Sequence, residues 1–203
     1  MDADDFPTLA KERAIWENWS IQLQPGKQVH TAPRTDNTTN SWIPPPKNTF
    51  KHNFDGASKG NPGKAGFGGI IKDHKGTPII VYLGILGWDT NNSIELEGLW
   101  QGLLLSQHNG LHPLEIEGDS QILINMATQL LNGAHAHKIA SSWRLEARLE
   151  EIERWIHYNR ALLFKHIRGD GNKVVDFLAN LGVDSEHNII TGTLDIIQNN
   201  EQR

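Results

Sequence analysis

The spacing of hydrophobic residues changes along the chain and predicts a strand-rich part followed by a helix-rich part. From residue 50 to residue 88, apolar residues alternate with polar ones or form short dense runs, which predicts strands at 50–57, 65–74 and 78–88. Lys75-Gly76 is typical of a tight turn between the second and third of these strands. The first three strands are therefore predicted to be antiparallel neighbours.

Beyond residue 90 the apolar spacing lengthens to the pattern of amphipathic helices. This pattern predicts helices at 94–106, 120–131, 142–157 and 173–181, interspersed with short strands at 114–117 and 162–167. Gly110, Gly133 and Gly182 stand where three of these helices are expected to end. Three strands followed by alternating helices and strands predict an α/β fold, with a mixed five-stranded sheet flanked by helices.

Proline marks the expected start of the folded domain. Residues 24–47 are rich in Pro, Thr and Asn and end in Pro44-Pro45-Pro46, a run that favours an extended polyproline conformation and excludes a helix. We therefore predict an N-terminal extension and linker over residues 1–48 and one folded domain over 49–184. The remaining segment, 185–203, is predicted to be a polar C-terminal tail.

The composition narrows the possible functions. The chain has 203 residues, of which 37% are hydrophobic and 21% charged, a globular balance. A net charge of −5 excludes a strongly basic nucleic-acid coat but allows a local basic patch. The absence of cysteine excludes disulfides and thiolate metal sites. Without a long apolar run or a signal-like start, we expect an intracellular protein, cytoplasmic or nuclear, that does not bind membranes.

Four acidic residues occupy positions where a carboxylate is unusual or chemically useful. Asp55 lies within an apolar strand, Asp119 follows the strand at 114–117, Glu95 stands one turn into a helix, and Asp176 lies in the last helix. Taken singly, each could be a solvent-facing, capping or helix-dipole residue. In a sheet-centred fold, however, strand ends and helix starts can converge. Carboxylates gathered there would repel unless divalent cations such as Mg²⁺ or Mn²⁺ neutralised them.

Four ordered motifs carry a resemblance to a known family. They are Phe54-Asp55-Gly56-Ala57 with Gly60-Asn61-Pro62-Gly63, Thr90 through Leu96, Glu117-Gly118-Asp119-Ser120-Gln121, and His166 through Asn172 to Asp176. On the basis of these motifs, residues 49–184 resemble type 1 ribonuclease H, especially the plant-type domain of non-LTR retrotransposon polyproteins. The resemblance implies a ribonuclease H-like catalytic domain. Its expected activity is endonucleolytic hydrolysis of the RNA strand of RNA–DNA hybrids by two-metal-ion catalysis, leaving 5′-phosphate and 3′-hydroxyl ends.

The resemblance also implies roles for individual residues. Asp55, Glu95, Asp119 and Asp176 are expected to bind two Mg²⁺ ions, with Mn²⁺ as a substitute, when substrate is present. His166 is expected to assist proton transfer or product release without being a metal ligand. The resemblance also implies that the protein is a monomer and that it is fused to, or descended from, a reverse transcriptase polyprotein.

Polar residues beside the acids are the candidates for substrate binding. Asn61, Asn92 and Gln121 resemble the family's minor-groove contacts, and Ser58 and Asn91 are further candidates. Amide side chains both donate and accept hydrogen bonds, so they suit a 2′-hydroxyl or a base edge, although turn and cap chemistry is an alternative. Cations expected to help are Lys59, Lys64, Arg144, Arg148, Arg168 and Lys173.

Two other functions remain open from the sequence. The first is a 3′–5′ exonuclease on the same fold, which usually has an acid two residues after the first Asp, where this chain has Ala57. The second is a non-catalytic hybrid-binding module, which would not need four converging charges. His135 and His137 have a spacing that could bind a metal, but such spacing is common in loops.

Overall fold

The structure is a computed structural model and describes residues 43–159 and 162–193. The described residues form strands β1 (Phe50–Gly60), β2 (Gly63–Lys72), β3 (Pro78–Asp89), β4 (Leu114–Gly118), β5 (Leu162–His166) and β6 (Ile190–Thr193). The helices are α1 (Asn91–His108), α2 (Gln121–Leu131), α3 (Ala136–Ile139), α4 (Trp143–Tyr158) and α5 (Lys173–Val183), with a 3-10 turn at Gly169–Gly171. Residues 1–42 of the predicted extension 1–48 and residues 194–203 of the predicted tail 185–203 lie outside the described residues.

All six strands of the described chain belong to one mixed sheet with the order β5-β4-β1-β2-β3-β6. β1, β2 and β3 are antiparallel neighbours, whereas β4 runs parallel to β1 and β5 runs parallel to β4. The predicted architecture is confirmed, but the expected strand count of five is one too low. β6, which falls within the predicted polar tail, pairs with residues 80–83 of β3. A four-residue edge strand is held by backbone hydrogen bonds and needs no hydrophobic period.

The two faces of the sheet are covered differently. The main core lies between one face and helices α1, α2 and α4, and it includes Phe54, Tyr82 and Ile116. The opposite face carries a smaller cluster in which Ile70 and Val81 meet α5. Because successive strand residues point to opposite faces, odd-numbered residues of β1 such as Asp55 lie on the α5 side.

Glycine lets α5 lie close to the sheet. A Cβ atom added to Gly68 of β2 would lie only 2.6 Å from the backbone nitrogen of Ala179 in α5. α5 therefore presses directly on the central strands, which brings the residues of its first turn near β1. Among the described residues, no helix combines the length and the apolar character needed to cross a bilayer.

A fully buried histidine anchors β1 in the main core. The Tyr82 hydroxyl donates to the Gly98 carbonyl at 2.6 Å, so the His52 Nε2–H group donates to the Tyr82 oxygen, also at 2.6 Å. His52 Nδ1 has no hydrogen-bond partner within the described residues. Burial lowers the pKa of His52 to about 3, because an added proton on Nδ1 would bring an unpaired charge into the core.

His52 should make the fold sensitive to acid. Below pH ~6.5 the unfolded chain binds a proton that the folded chain excludes, so stability falls as the pH falls, by about 1.4 kcal/mol per pH unit. The His52→Gln variant keeps an N–H donor and cannot titrate. Between pH 7 and pH 5 it should lose about 2 kcal/mol less unfolding free energy than the parent chain, as measured by urea denaturation. Identical losses in both proteins would contradict this assignment.

Candidate active site

Two of the predicted acids are brought side by side by the parallel pairing of β1 and β4. Asn53 is paired with Glu117, so Asp55 and Asp119, each two residues further on, lie next to each other. α1 begins against the same point of β1. A Cβ on Gly56 would lie 2.5 Å from the backbone nitrogen of Glu95, so only glycine allows the first turn of α1 to approach this closely.

Asp55 is the electrostatic centre of the cluster. Its side chain is buried, and its Oδ1 accepts a hydrogen bond from the Gly56 backbone N–H at 2.7 Å. Burial, followed by the negative charge of Asp119, raises the pKa of Asp55 to about 8. Glu95 and Asp176 make smaller contributions to this rise, which the Gly56 hydrogen bond opposes. The other three predicted carboxylates therefore all lie close enough for their charges to act on Asp55.

Glu95 faces this cluster. Burial raises the pKa of Glu95 to about 7, opposed by a hydrogen bond from the Ser120 side chain and reinforced by the charge of Asp119. Its Oε2 atom is buried and makes no hydrogen bond to the described part of the protein. A buried carboxylate oxygen without a donor is suited to a cation.

The neighbouring Glu97 has a different task. Arg148 Nη2 lies 2.5 Å from Glu97 Oε2, and Gln101 donates to Glu97 Oε1 at 2.7 Å. The contact with Arg148 joins α1 to α4, whereas Gln101 lies on α1 itself. The charge of Glu97 is therefore neutralised within the fold, unlike that of Glu95, whose Oε2 has no hydrogen-bond partner among the described residues. Arg148, predicted as a substrate contact, is instead held by Glu97 and Glu151.

The end of β5 brings His166 to the site, and the loop that follows it returns to β1. β5 pairs with β4 so that His166 lies opposite Gly118, and the His166 Nε2–H group donates to the Asp119 carbonyl at 3.0 Å. The side chain remains exposed. Asn172 holds the far end of the loop, because its Nδ2 donates to the Phe54 carbonyl at 3.0 Å. This contact of Asn172 was not predicted, since residues so distant in the chain meet only in the folded protein.

Asp176 contributes from the first turn of α5. It is more exposed than Asp55, and its Oδ1 accepts a hydrogen bond from Asn180 Nδ2 at 3.1 Å. The loop acid Asp170 is exposed, and its Oδ1 lies 3.6 Å from Lys173 Nζ. His135 lies 2.7 Å from Glu153, away from the cluster, which agrees with a structural role for the His135–His137 pair.

Several predicted substrate-binding residues gather where the β1–β2 turn meets the start of α1. Asn61 Oδ1 accepts from the Asn91 backbone N–H at 3.2 Å, and Ser58 Oγ donates to the Gly60 carbonyl. These are turn and cap contacts, as the alternative interpretation expected. Asn92 lies one turn before Glu95 on α1. Gln121, separate from this group, opens α2 and donates to Asn125 at 2.8 Å.

The predicted cations are distributed around these elements. Lys59 pairs with Asp184 at 2.6 Å, and Arg144 Nη1 lies 3.4 Å from Asp89, the residue that precedes the N-cap of α1. Lys64 and Arg168 are exposed. The surface near the site therefore offers scattered positive charges and not a continuous basic patch.

The donor set fits hard divalent cations. Within residues 43–159 and 162–193, no three His, Asp or Glu side chains are already arranged as a metal-binding group. The acids are nevertheless close enough to raise the pKa of Asp55, and carboxylate oxygens are the ligands that Mg²⁺ prefers. A cation here would offset repulsion that the protein otherwise has to tolerate.

Comparison with known proteins agrees with this geometry. A family model described as reverse transcriptase-like matches residues 53–182. Ribonuclease HI of Streptomyces coelicolor is 33% identical over 133 residues, which cover 61% of this chain and 55% of that protein. A putative ribonuclease H protein of Arabidopsis thaliana is 25% identical over 150 residues, covering 74% of this chain but 23% of that protein.

A solved structure shows the same architecture. LC11-RNase H1, in complex with an RNA/DNA hybrid, aligns with a TM-score of 0.59 and 26% identity, covering 67% of this chain and 97% of that chain. The chain therefore belongs to the reverse transcriptase-like family and has the ribonuclease H fold, which confirms the predicted resemblance. It spans about half the length of the Streptomyces relative, since 55% of that protein is covered.

The acid cluster should cost stability when no cation is bound. Burial and neighbouring charges oppose ionisation of Asp55 in the folded chain, whereas the unfolded chain ionises freely, so the cost grows as pH rises from about 4 towards 8. In EDTA at pH 7, the Asp55→Asn variant should be more stable than the parent chain by about 1–2 kcal/mol in urea denaturation. A less stable variant under these conditions would show that the cluster is not under repulsion.

Proposed function

We propose that the domain is an endonuclease that hydrolyses the RNA strand of RNA–DNA hybrids with the help of two Mg²⁺ ions, for which Mn²⁺ can substitute. The observation that carries this proposal is the meeting of Asp55, Glu95 and Asp119 at one point, where Asp55 is buried and the charge of Asp176 also acts on it. Relatives named ribonuclease H and the neighbour solved with an RNA/DNA hybrid support the substrate class.

The carboxylates would hold the ions. Asp55 on β1 and Asp119, the residue after β4, would share the ions, while Glu95 would approach from α1 and Asp176 from α5. Bound divalent ions would supply a nucleophilic water at neutral pH and neutralise charge on the leaving oxygen. Attack at phosphorus with departure of the 3′-oxygen gives the expected 5′-phosphate and 3′-hydroxyl ends.

His166 would move a proton at the edge of the cluster. Its Nε2–H group is engaged by the Asp119 carbonyl, which leaves Nδ1 on the exposed ring to accept a proton. In this proposal, the hydrogen bond to the Asp119 carbonyl would keep the ring beside the phosphate that reacts, without using the ring as a metal ligand. The same proton transfer by His166 would also ease the release of product.

The amide and hydroxyl side chains around the start of α1 would read the hybrid. Asn61, Asn91, Asn92 and Ser58 line the junction of the β1–β2 turn with α1, and Gln121 opens α2. Only the RNA strand offers 2′-hydroxyl groups, so neutral donors and acceptors can distinguish the strands where bulk charge cannot. The family description also favours descent from a reverse transcriptase polyprotein, in which a monomeric domain of this kind would act.

Strand-selective cleavage tests the function and the metal site together. With Mg²⁺, the chain should cut the RNA strand of an end-labelled hybrid internally and leave single-stranded RNA and duplex DNA intact. Asp119→Asn should nearly abolish this cleavage, because one anionic ligand is lost with little change of shape. Stepwise shortening from a 3′ end would instead indicate an exonuclease, and hybrid binding without cleavage would indicate a binding module.

Replacing His166 should have a smaller effect than replacing a metal-binding acid. His166→Ala should lower kcat by about 10²-fold or more, the usual contribution of a general acid or base, and should retain Mn²⁺ binding in calorimetry. His108→Ala, an exposed histidine at the end of α1, is the matched control and should leave kcat unchanged. Unchanged kcat in His166→Ala would remove this residue from the mechanism, and lost Mn²⁺ binding would make it a ligand.

A further inference from the structure

A group of charged and polar side chains, all buried except the exposed Lys165, lies on the α5 side of the sheet, directly below the acid cluster. We call it the strand hub; it consists of Lys51, Asn53, Glu115, Glu117 and Lys165. Lys51 Nζ lies 2.5 Å from Glu117 Oε1 and 3.0 Å from Glu115 Oε1. Asn53 Nδ2 donates to Glu117 Oε2 at 3.1 Å, and Lys165 Nζ lies 2.6 Å from Glu115 Oε1. The hub therefore joins β1, β4 and β5 through their side chains.

These charges are placed where apolar side chains would be the simpler choice. Lys51 is 1% exposed, and the side chains of Glu115 and Glu117 are at most 8% exposed. Removing such groups from water is costly, and a buried ion pair often stabilises a fold no better than apolar residues of the same size. Stability alone is therefore a weak explanation for the hub.

The hub residues precede the site residues along three adjacent strands. Asn53 lies two residues before Asp55, and Glu117 lies two residues before Asp119. Residues two apart on a strand share a face, so these hub side chains stand directly behind the carboxylates. On β5, Lys165 is adjacent to His166, and a groove of about 720 Å³ bordered by Lys51, Glu117 and His166 runs past the hub.

The pairing of β1 with β4 is short, which makes directional contacts valuable. The ladder covers residues 50–53 and 114–117 and ends before Asp55 and Asp119. A slip of one residue would turn Asp119 to the opposite face of the sheet. It would also break the contacts of Lys51 with Glu115 and of Asn53 with Glu117. Hydrophobic packing is not directional, so it would oppose such a slip less strongly.

We propose that the strand hub is a positioning device, in which Lys51 and Glu117 hold β1 and β4 in the alignment that the metal-binding carboxylates need. The hub acts through the strands and does not touch the ions. This inference rests on the proposed function, because it assigns the purpose of the alignment to divalent-cation binding.

Glu117→Gln tests the proposal with little change of volume. Mn²⁺ affinity, read from the electron paramagnetic resonance signal of free Mn²⁺, should fall about 10-fold, the lower end of the range for residues that orient metal ligands. The kcat for hybrid cleavage should fall similarly, with KM for the hybrid nearly unchanged. Glu153→Gln, which removes a carboxylate from the His135 pair far from the hub, is the control and should alter neither quantity.

A second variant separates alignment from stability. Lys51→Met combined with Glu117→Leu replaces the central charges with apolar side chains and should keep a urea midpoint near that of the parent chain. Its Mn²⁺ affinity should still fall at least about 10-fold. A folded double variant with parental Mn²⁺ affinity and kcat would overturn the proposal. If the double variant does not fold, Glu117→Gln decides, and parental Mn²⁺ binding by that variant would overturn the proposal.

The proposed function and the positioning role of the strand hub can be disproved separately. If the parent chain binds Mn²⁺ but cleaves no hybrid, the proposed function is wrong and the Mn²⁺ titrations still decide the role of the hub. If the parent chain binds no Mn²⁺ at all, both the proposed function and the positioning role are overturned.

Discussion

Repulsion among carboxylates gathered just beyond the β1–β4 pairing is the constraint on which the rest of the structure depends. Asp55 is buried beside Asp119, and both burial and charge oppose its ionisation. A fold driven only by stability would separate these groups or pair them with cations from its own side chains. The cluster is therefore maintained by the surrounding architecture, and its tolerance of charge is what makes it suitable for divalent ions.

Each surrounding element contributes to holding this unfavourable arrangement. Parallel pairing places Asp119 beside Asp55, and the lack of a side chain at Gly56 lets α1 deliver Glu95. Asn172 ties the loop after β5 to β1, and the His166 ring bonds to the backbone of Asp119. The stability of the two cores therefore offsets the local cost of the site, a common relation between stability and function.

Glutamate residues that are close in the sequence have opposite electrostatic surroundings. Glu97 is neutralised by Arg148, and Glu117 by Lys51, whereas Glu95 has no cationic side chain among its described contacts. A buried acid is thus not a sign of function by itself. What distinguishes the site is that its acids meet other acids, and this difference depends on which elements face each other.

The order of elements was predictable from the sequence, because hydrophobic period and turn residues are local properties. Four acids were singled out from compact motifs, and the structure brings the other three near Asp55, while their metal-binding role stays a prediction. Neither the edge strand β6 nor the hydrogen bond from Asn172 to β1 was predictable. Nor was the strand hub, whose members look like ordinary polar strand residues. These features depend on contacts between distant segments, and only the tertiary structure decides which charges become neighbours and which are neutralised.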